Sequence, residues 1–123
     1  AKSGFDVFPA SESLLSKAMP IGAAGCISAT VNVNPGGIQE LFDVLGNGTS
    51  VEAIAALQGK ADAIRAIFQS VAMIPAMKHT VASFSAQASW GAVRPPLTRM
   101  SDMDGQALLE RLKQVGFDMP GLR

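Results

Sequence analysis

At 123 residues the chain has the length of one domain, enough to bury roughly two-thirds of the surface its unfolded form exposes. Apolar residues make up 48% and charged residues only 16%, which excludes a disordered tail. Ten basic residues cancel ten acidic ones, so neither nucleic acid nor an anionic membrane is an expected partner.

In chain order, residues 4–8 (GFDVF) read as a short strand ended by Pro9. Ser11 reads as the N-cap of a helix carrying Leu14, Leu15 and Ala18, with Glu12 complementing the dipole in its first turn. Pro20, Gly22 and Gly25 are expected to stop that helix. Residues 26–31 (CISATV) form a small, β-branched run fenced by glycine and proline, the pattern of a strand buried on both faces. The β-α-β unit so formed implies a parallel pair with a right-handed crossover. Asn34-Pro35 then reads as the cap and first position of a helix bearing Ile38, Leu41, Phe42 and Leu45, ended by Gly46-Asn47-Gly48.

Helices alone are expected beyond that point. Thr49 with Glu52 has capping-box spacing, and Ile54, Leu57, Ala61, Ile64, Phe68 and Val71 make a regular apolar seam. Pro75 opens a stretch over about 76–88, with Met77, Val81 and Phe84 on its inner side. Arg94-Pro95-Pro96-Leu97 reads as an extended connector, because a residue before proline is pushed out of helical geometry. Ser101 with Asp104 caps a last helix carrying Leu108, Leu109, Leu112 and Val115 and ending at Gly116. Two parallel strands cannot sustain a sheet, so the pattern is that of a piece of a larger α/β protein; a small α+β domain with further strands is the alternative.

Few residues carry chemistry. Ser11 reads as a helix cap, since no His or Asp lies nearby in sequence to activate it. His79 is the only histidine, which argues for a packed or surface role and against a metal site; no metal and no cofactor is expected. Cys26 is the only cysteine and reads as an inert core thiol of a reducing, cytoplasmic compartment. The glycines at 22, 25, 36 and 37 do not follow a strand in a phosphate-binding pattern. Trp90 is expected to be buried. No apolar run reaches the length of a membrane span.

The segments GFDVFPASESLL, GAAGCISATVNVNP, MIPAMKHTV and RPPLTRMSD, in this order and spacing, resemble the C-terminal part of the dihydrodipicolinate synthase / N-acetylneuraminate lyase family. The resemblance covers essentially the whole chain. It implies an α/β fold, the C-terminal part of a (β/α)8 TIM barrel: the last two strands and helices over residues 1–48, then an α-helical C-terminal extension over 49–123. It also implies a Schiff-base-forming aldolase or lyase acting on pyruvate or a related 2-keto acid. In that family a lysine on the sixth strand attacks the keto carbon, and the iminium stabilises the carbanion equivalent that adds to an aldehyde or is released by cleavage. A tyrosine relay and a GTTGE-type loop assist.

Those parts lie upstream in the family. This chain has no tyrosine, and its lysines (Lys2, Lys17, Lys60, Lys78, Lys113) fall outside the predicted strands. What the resemblance assigns here is the substrate-binding wall. Ala10 stands where the family usually has glycine beside the bound keto acid, and Ile27 matches the apolar residue near the lysine, where it would exclude water. Ser28 follows on the other face of the strand. Glu12 and Ser13 fall where neuraminate lyases carry two acidic residues, of which only Glu12 is acidic here. The resemblance further implies a homotetramer, or a companion chain carrying the rest of the barrel. Dehydration or decarboxylation of a sugar-acid-derived keto acid through the same iminium, and a non-catalytic scaffold, are the alternative functions.

Overall fold

A computed structural model describes residues 4–48 and 50–122. They form five α-helices, α1 (Leu15–Ala18), α2 (Pro35–Gly46), α3 (Val51–Gln69), α4 (Met73–Phe84) and α5 (Asp102–Gln114), with short 3-10 turns around α1, before α2, between α4 and α5, and after α5. The chain divides into two compact units, Ala1–Asp62 and Ala63–Arg123.

In the first unit Ser11 caps the chain as its spacing predicts, its hydroxyl accepting from the Ser13 amide at 3.2 Å. The helix it opens is compound, a 3-10 turn at Glu12–Leu14, then α1, then a second 3-10 turn at Met19–Ile21. Pro20 is absorbed within that last turn, and Gly22 ends it with φ +99°. The Ala23 amide then reaches back to the Ala18 carbonyl at 3.0 Å and Gly22 to Met19 at 3.0 Å, the paired bonds of a Schellman end. Leu15, Ile38, Leu41 and Ala61 form the core, with Met19, Cys26, Val31, Val44, Leu45 and Leu57 packed against it. Burying each such leucine contributes about 2 kcal/mol.

Neither expected strand forms: the described residues contain helices and no strand, an arrangement compatible with a C-terminal piece of an α/β barrel. Residues 5–9 and 23–28 lie side by side and run parallel, held by two bonds, Ala24 amide to Val7 carbonyl (2.9 Å) and Ile27 amide to Pro9 carbonyl (3.1 Å). The donors advance three residues while the acceptors advance two, so the register slips as at a bulge. Pro9 has no N–H to return a bond. The end of the second predicted strand instead winds into a 3-10 turn, Ala29–Asn32, in which the Asn32 side chain holds the Ala29 carbonyl at 2.9 Å. Gly25 is buried with no side chain to separate it from the Phe8 and Phe42 rings, each within about 4 Å of where a Cβ would stand.

Asn34 and Pro35 occupy the cap and first position of α2 as expected. The Asn34 side chain folds over Gly37, where an added Cβ would stand 2.7 Å from its Oδ1. Helix α2 ends at Gly46, with Asn47 as C-cap and Gly48 at φ +67°. Thr49, the first member of the expected capping box, lies outside the described residues; Ser50 accepts from the Ala53 amide at 3.2 Å.

In the second unit the seam residues Ile64 and Phe68 are buried, together with Ile67, Ala76, Met77, Leu108, Leu112, Phe117 and Met119. Phe117 meets Phe68 and Phe84 edge-on, at centroid distances of 6.1 and 5.7 Å. Helix α4 begins two residues before Pro75, which fits because a first-turn proline lacks only an amide the helix does not use. It stops at Phe84, short of the expected Ala88, because Ala86 takes φ +53°. Arg94–Leu97 is a turn and not an extended connector: the Leu97 amide bonds the Arg94 carbonyl at 3.0 Å across a cis Pro95-Pro96 bond. Trp90 is half exposed, also against expectation, because it sits in the 3-10 turn Ala88–Gly91 on the surface. Ser101 and Asp104 cap α5 as their spacing predicts, and Gly116 (φ +67°) ends it.

Candidate functional site

The chemistry of the first unit gathers around one carboxylate. Ser11 fixes the first turn and thereby points Glu12 inward, where the residue is only 1% exposed. A buried carboxylate is tolerable only when hydrogen-bonded. Hydroxyls supply those bonds here: Ser28 donates to Oε2 and Thr30 to Oε1, and the two hydroxyls stand 3.2 Å apart. The backbone of the same turn is held from α3. Gln58 donates from Nε2 to the Glu12 carbonyl at 3.1 Å and to Asp62 Oδ1 at 3.1 Å, while its Oε1 accepts from the Ser16 amide at 3.2 Å.

Of the four residues that the resemblance assigned to substrate binding, two meet. Glu12 and Ser28 are in direct contact, through hydroxyl and carboxylate. Ala10 is exposed one residue after Pro9, whose carbonyl accepts the Ile27 amide. Ile27 is 72% exposed, so consecutive side chains diverge, Ile27 to solvent and Ser28 inward. Sequence reasoning missed Thr30 and Gln58. Thr30 lies two residues beyond Ser28, a second hydroxyl on one face of an otherwise apolar run. Gln58 sits beside Leu57 and three before Ala61, a polar residue inside an apolar seam. Either oddity marks a buried polar partner.

As a buried acceptor of two hydroxyls, the Glu12 carboxylate ties residue 12 to residues 28 and 30. Among the described residues, no group of three or more His, Cys, Asp or Glu side chains is placed to hold a metal ion. His79 is half-buried on α4, its ring over Gly105 of α5, where a Cβ would meet Nε2. A cleft of about 520 Å³ in the second unit is lined by Ser83, Phe84, Leu109, Leu112, Lys113, Phe117 and Asp118. Its lining is largely apolar.

The chain matches the Dihydrodipicolinate synthetase family over residues 1–115. No curated protein matches it.

Proposed function

Because this chain belongs to the dihydrodipicolinate synthetase family, we propose that it is the C-terminal portion of a class I, pyruvate-dependent lyase or aldolase. The family is one of lyases built on a TIM barrel, and the match over 115 of 123 residues is the observation that carries the reading. The substrate is pyruvate or a related 2-keto acid, held as a Schiff base on a lysine outside this chain. The division into barrel elements to residue 48 and helical extension from 49, the cytoplasmic location and the tetrameric or companion-chain assembly belong to the same proposal.

The lysines present support placing the nucleophile elsewhere. Lys17, Lys60 and Lys113 are exposed and Lys78 is half-buried, so none of these four has the water-excluded setting that favours attack by a neutral amine. The role left to this chain is to shape a pocket wall. Ala10 would present backbone close to the bound keto acid, and Ile27 offers an exposed apolar side chain to cover the iminium carbon and its lysine. Ser28, drawn inward to Glu12, anchors the chain directly after Ile27.

Intact mass of the purified material after treatment with pyruvate and borohydride tests this. A reduced pyruvyl adduct on a longer or companion chain is the expected result. An adduct on the 12.7 kDa chain itself would keep the enzyme class and overturn the placement of the lysine. Material that stays wholly unmodified would leave a scaffold as the reading.

A further inference from the structure

The chain contains three asparagines, Asn32, Asn34 and Asn47, and the structure sets them in very different chemical situations. Asn47 is exposed, follows the last residue of α2 and precedes Gly48, which is also exposed and has no Cβ to obstruct approach to its amide nitrogen. We propose that Asn47-Gly48 is a site of spontaneous succinimide formation and deamidation, a built-in covalent modification of the link between α2 and α3.

The step balances without any partner but water. The Gly48 amide nitrogen attacks Cγ of Asn47, the Cγ–Nδ2 bond breaks, and ammonia leaves carrying the proton that the Gly48 nitrogen gives up. The five-membered imide is then opened by water at either carbonyl carbon. One opening gives aspartate. The other gives isoaspartate, in which the side-chain methylene has entered the backbone.

The remaining sites are closed to this route. Asn34 is followed by Pro35, whose nitrogen carries no proton to lose. Asn32 has its side-chain amide engaged with the Ala29 carbonyl at 2.9 Å, and the attacking nitrogen would be that of buried, β-branched Val33, already bonded to the Thr30 carbonyl at 3.1 Å. The chain's other acidic or amide residue of this length before glycine, Asp104, is protected in the same way: Gly105 is buried within α5 and its amide holds the Ser101 carbonyl at 2.9 Å.

The product has a structural consequence. The Asn47 amide accepts its place as C-cap by donating to the Asp43 carbonyl at 3.0 Å, so a new carboxylate would stand at the negative end of the α2 dipole, one turn from Asp43. Isoaspartate additionally lengthens the link between α2 and α3 by one backbone atom.

Cleavage after Lys17 and Lys60 leaves all three asparagines in one peptide, so each is an internal standard for the others. The full chain is held in warm, mildly alkaline buffer prepared in 18O-water and mapped by fragment-ion mass spectrometry. Expected is a gain of about 3 Da confined to residue 47, with two isomeric products, the isoaspartyl one labelled by an isoaspartyl methyltransferase. Gly48→Ala should slow the gain about ten-fold, and the same comparison in denaturant removes any effect of that variant on folding. Aspartate as the sole product, equal rates at Asn32 and Asn47, or no mass change at Asn47 would each overturn the proposal.

Discussion

At the scale of single residues, Glu12 is the side chain on which most depends. Its carboxylate is buried at 1% exposure and takes hydroxyl donors from Ser28 and Thr30, which lie sixteen and eighteen positions away. Removing it takes a charged acceptor from buried Thr30 and half-buried Ser28 and opens a cavity of carboxylate size. Glu12→Ala should therefore cost about 2–4 kcal/mol in chemical unfolding. Glu12→Gln keeps the shape and one acceptor oxygen, and its amide can donate to a hydroxyl, so it should lose about half as much. Equal losses for the two variants would mean that packing, and not the hydroxyl–carboxylate pairing, holds the turn. The sequence marks Glu12 only as a residue of a helix's first turn. Its burial depends on Thr30 and Gln58, which the sequence marks only as polar residues set in apolar stretches, without saying what they pair with.

At the scale of elements, the helix ends show why some of the fold is legible and some is not. Among the described residues, three ends close with a six-to-one bond around a left-handed residue, at Gly22, Ala86 and Gly116. Two of these are glycines, and sequence reading finds them. Gly116 is complete, its amide on the Lys113 carbonyl at 3.0 Å and that of Phe117 on Leu112 at 3.0 Å, both of the latter side chains buried. The third end is hidden because alanine occupies the position: Gln87 bonds the Ala82 carbonyl at 3.1 Å around an Ala86 held at φ +53°. Helix propensity alone therefore extends α4 too far. An L-residue pays about 1–2 kcal/mol in that conformation, against a smaller entropic cost for glycine. Ala86→Gly should then raise stability by about 0.5–1 kcal/mol, seen as a higher melting temperature; a lower one would show that the α4 end is set by packing of the following turn. The caps Ser11, Asn34-Pro35 and Ser101-Asp104 were readable for the same reason as the glycines, since the information is local. The strands were not, because a parallel strand is completed by neighbours elsewhere in a chain, and periodicity reports only that a segment is apolar.

At the scale of the whole molecule, those apolar segments are what distinguishes the first unit. Phe5 is 74% exposed, Val7 56%, Ile21 88% and Ile27 72%, although each belongs to a residue class that folding normally buries. Val7 and Ile27 stand on neighbouring parallel segments, joined through the bonds from Ala24 to Val7 and from Ile27 to Pro9. In the second unit Phe68, Phe84 and Phe117 close on one another, while Ile74, Trp90 and Met103 are exposed singly along the sequence. Water against side chains of this size costs free energy in proportion to area, so the isolated chain should bind an environment-sensitive hydrophobic dye while its helical circular dichroism remains intact. The dye signal should fall in a Val7→Ser, Ile27→Ser double variant and stay unchanged in Met103→Ser, which alters an exposed residue of α5. Equal dye binding by both variants would place the adhesive surface outside the two parallel segments. Loss of dye binding on adding a chain that carries the remainder of the barrel would instead identify these segments as the face that the rest of the protein covers, and would connect their exposure directly to the proposed pocket wall at Ala10 and Ile27.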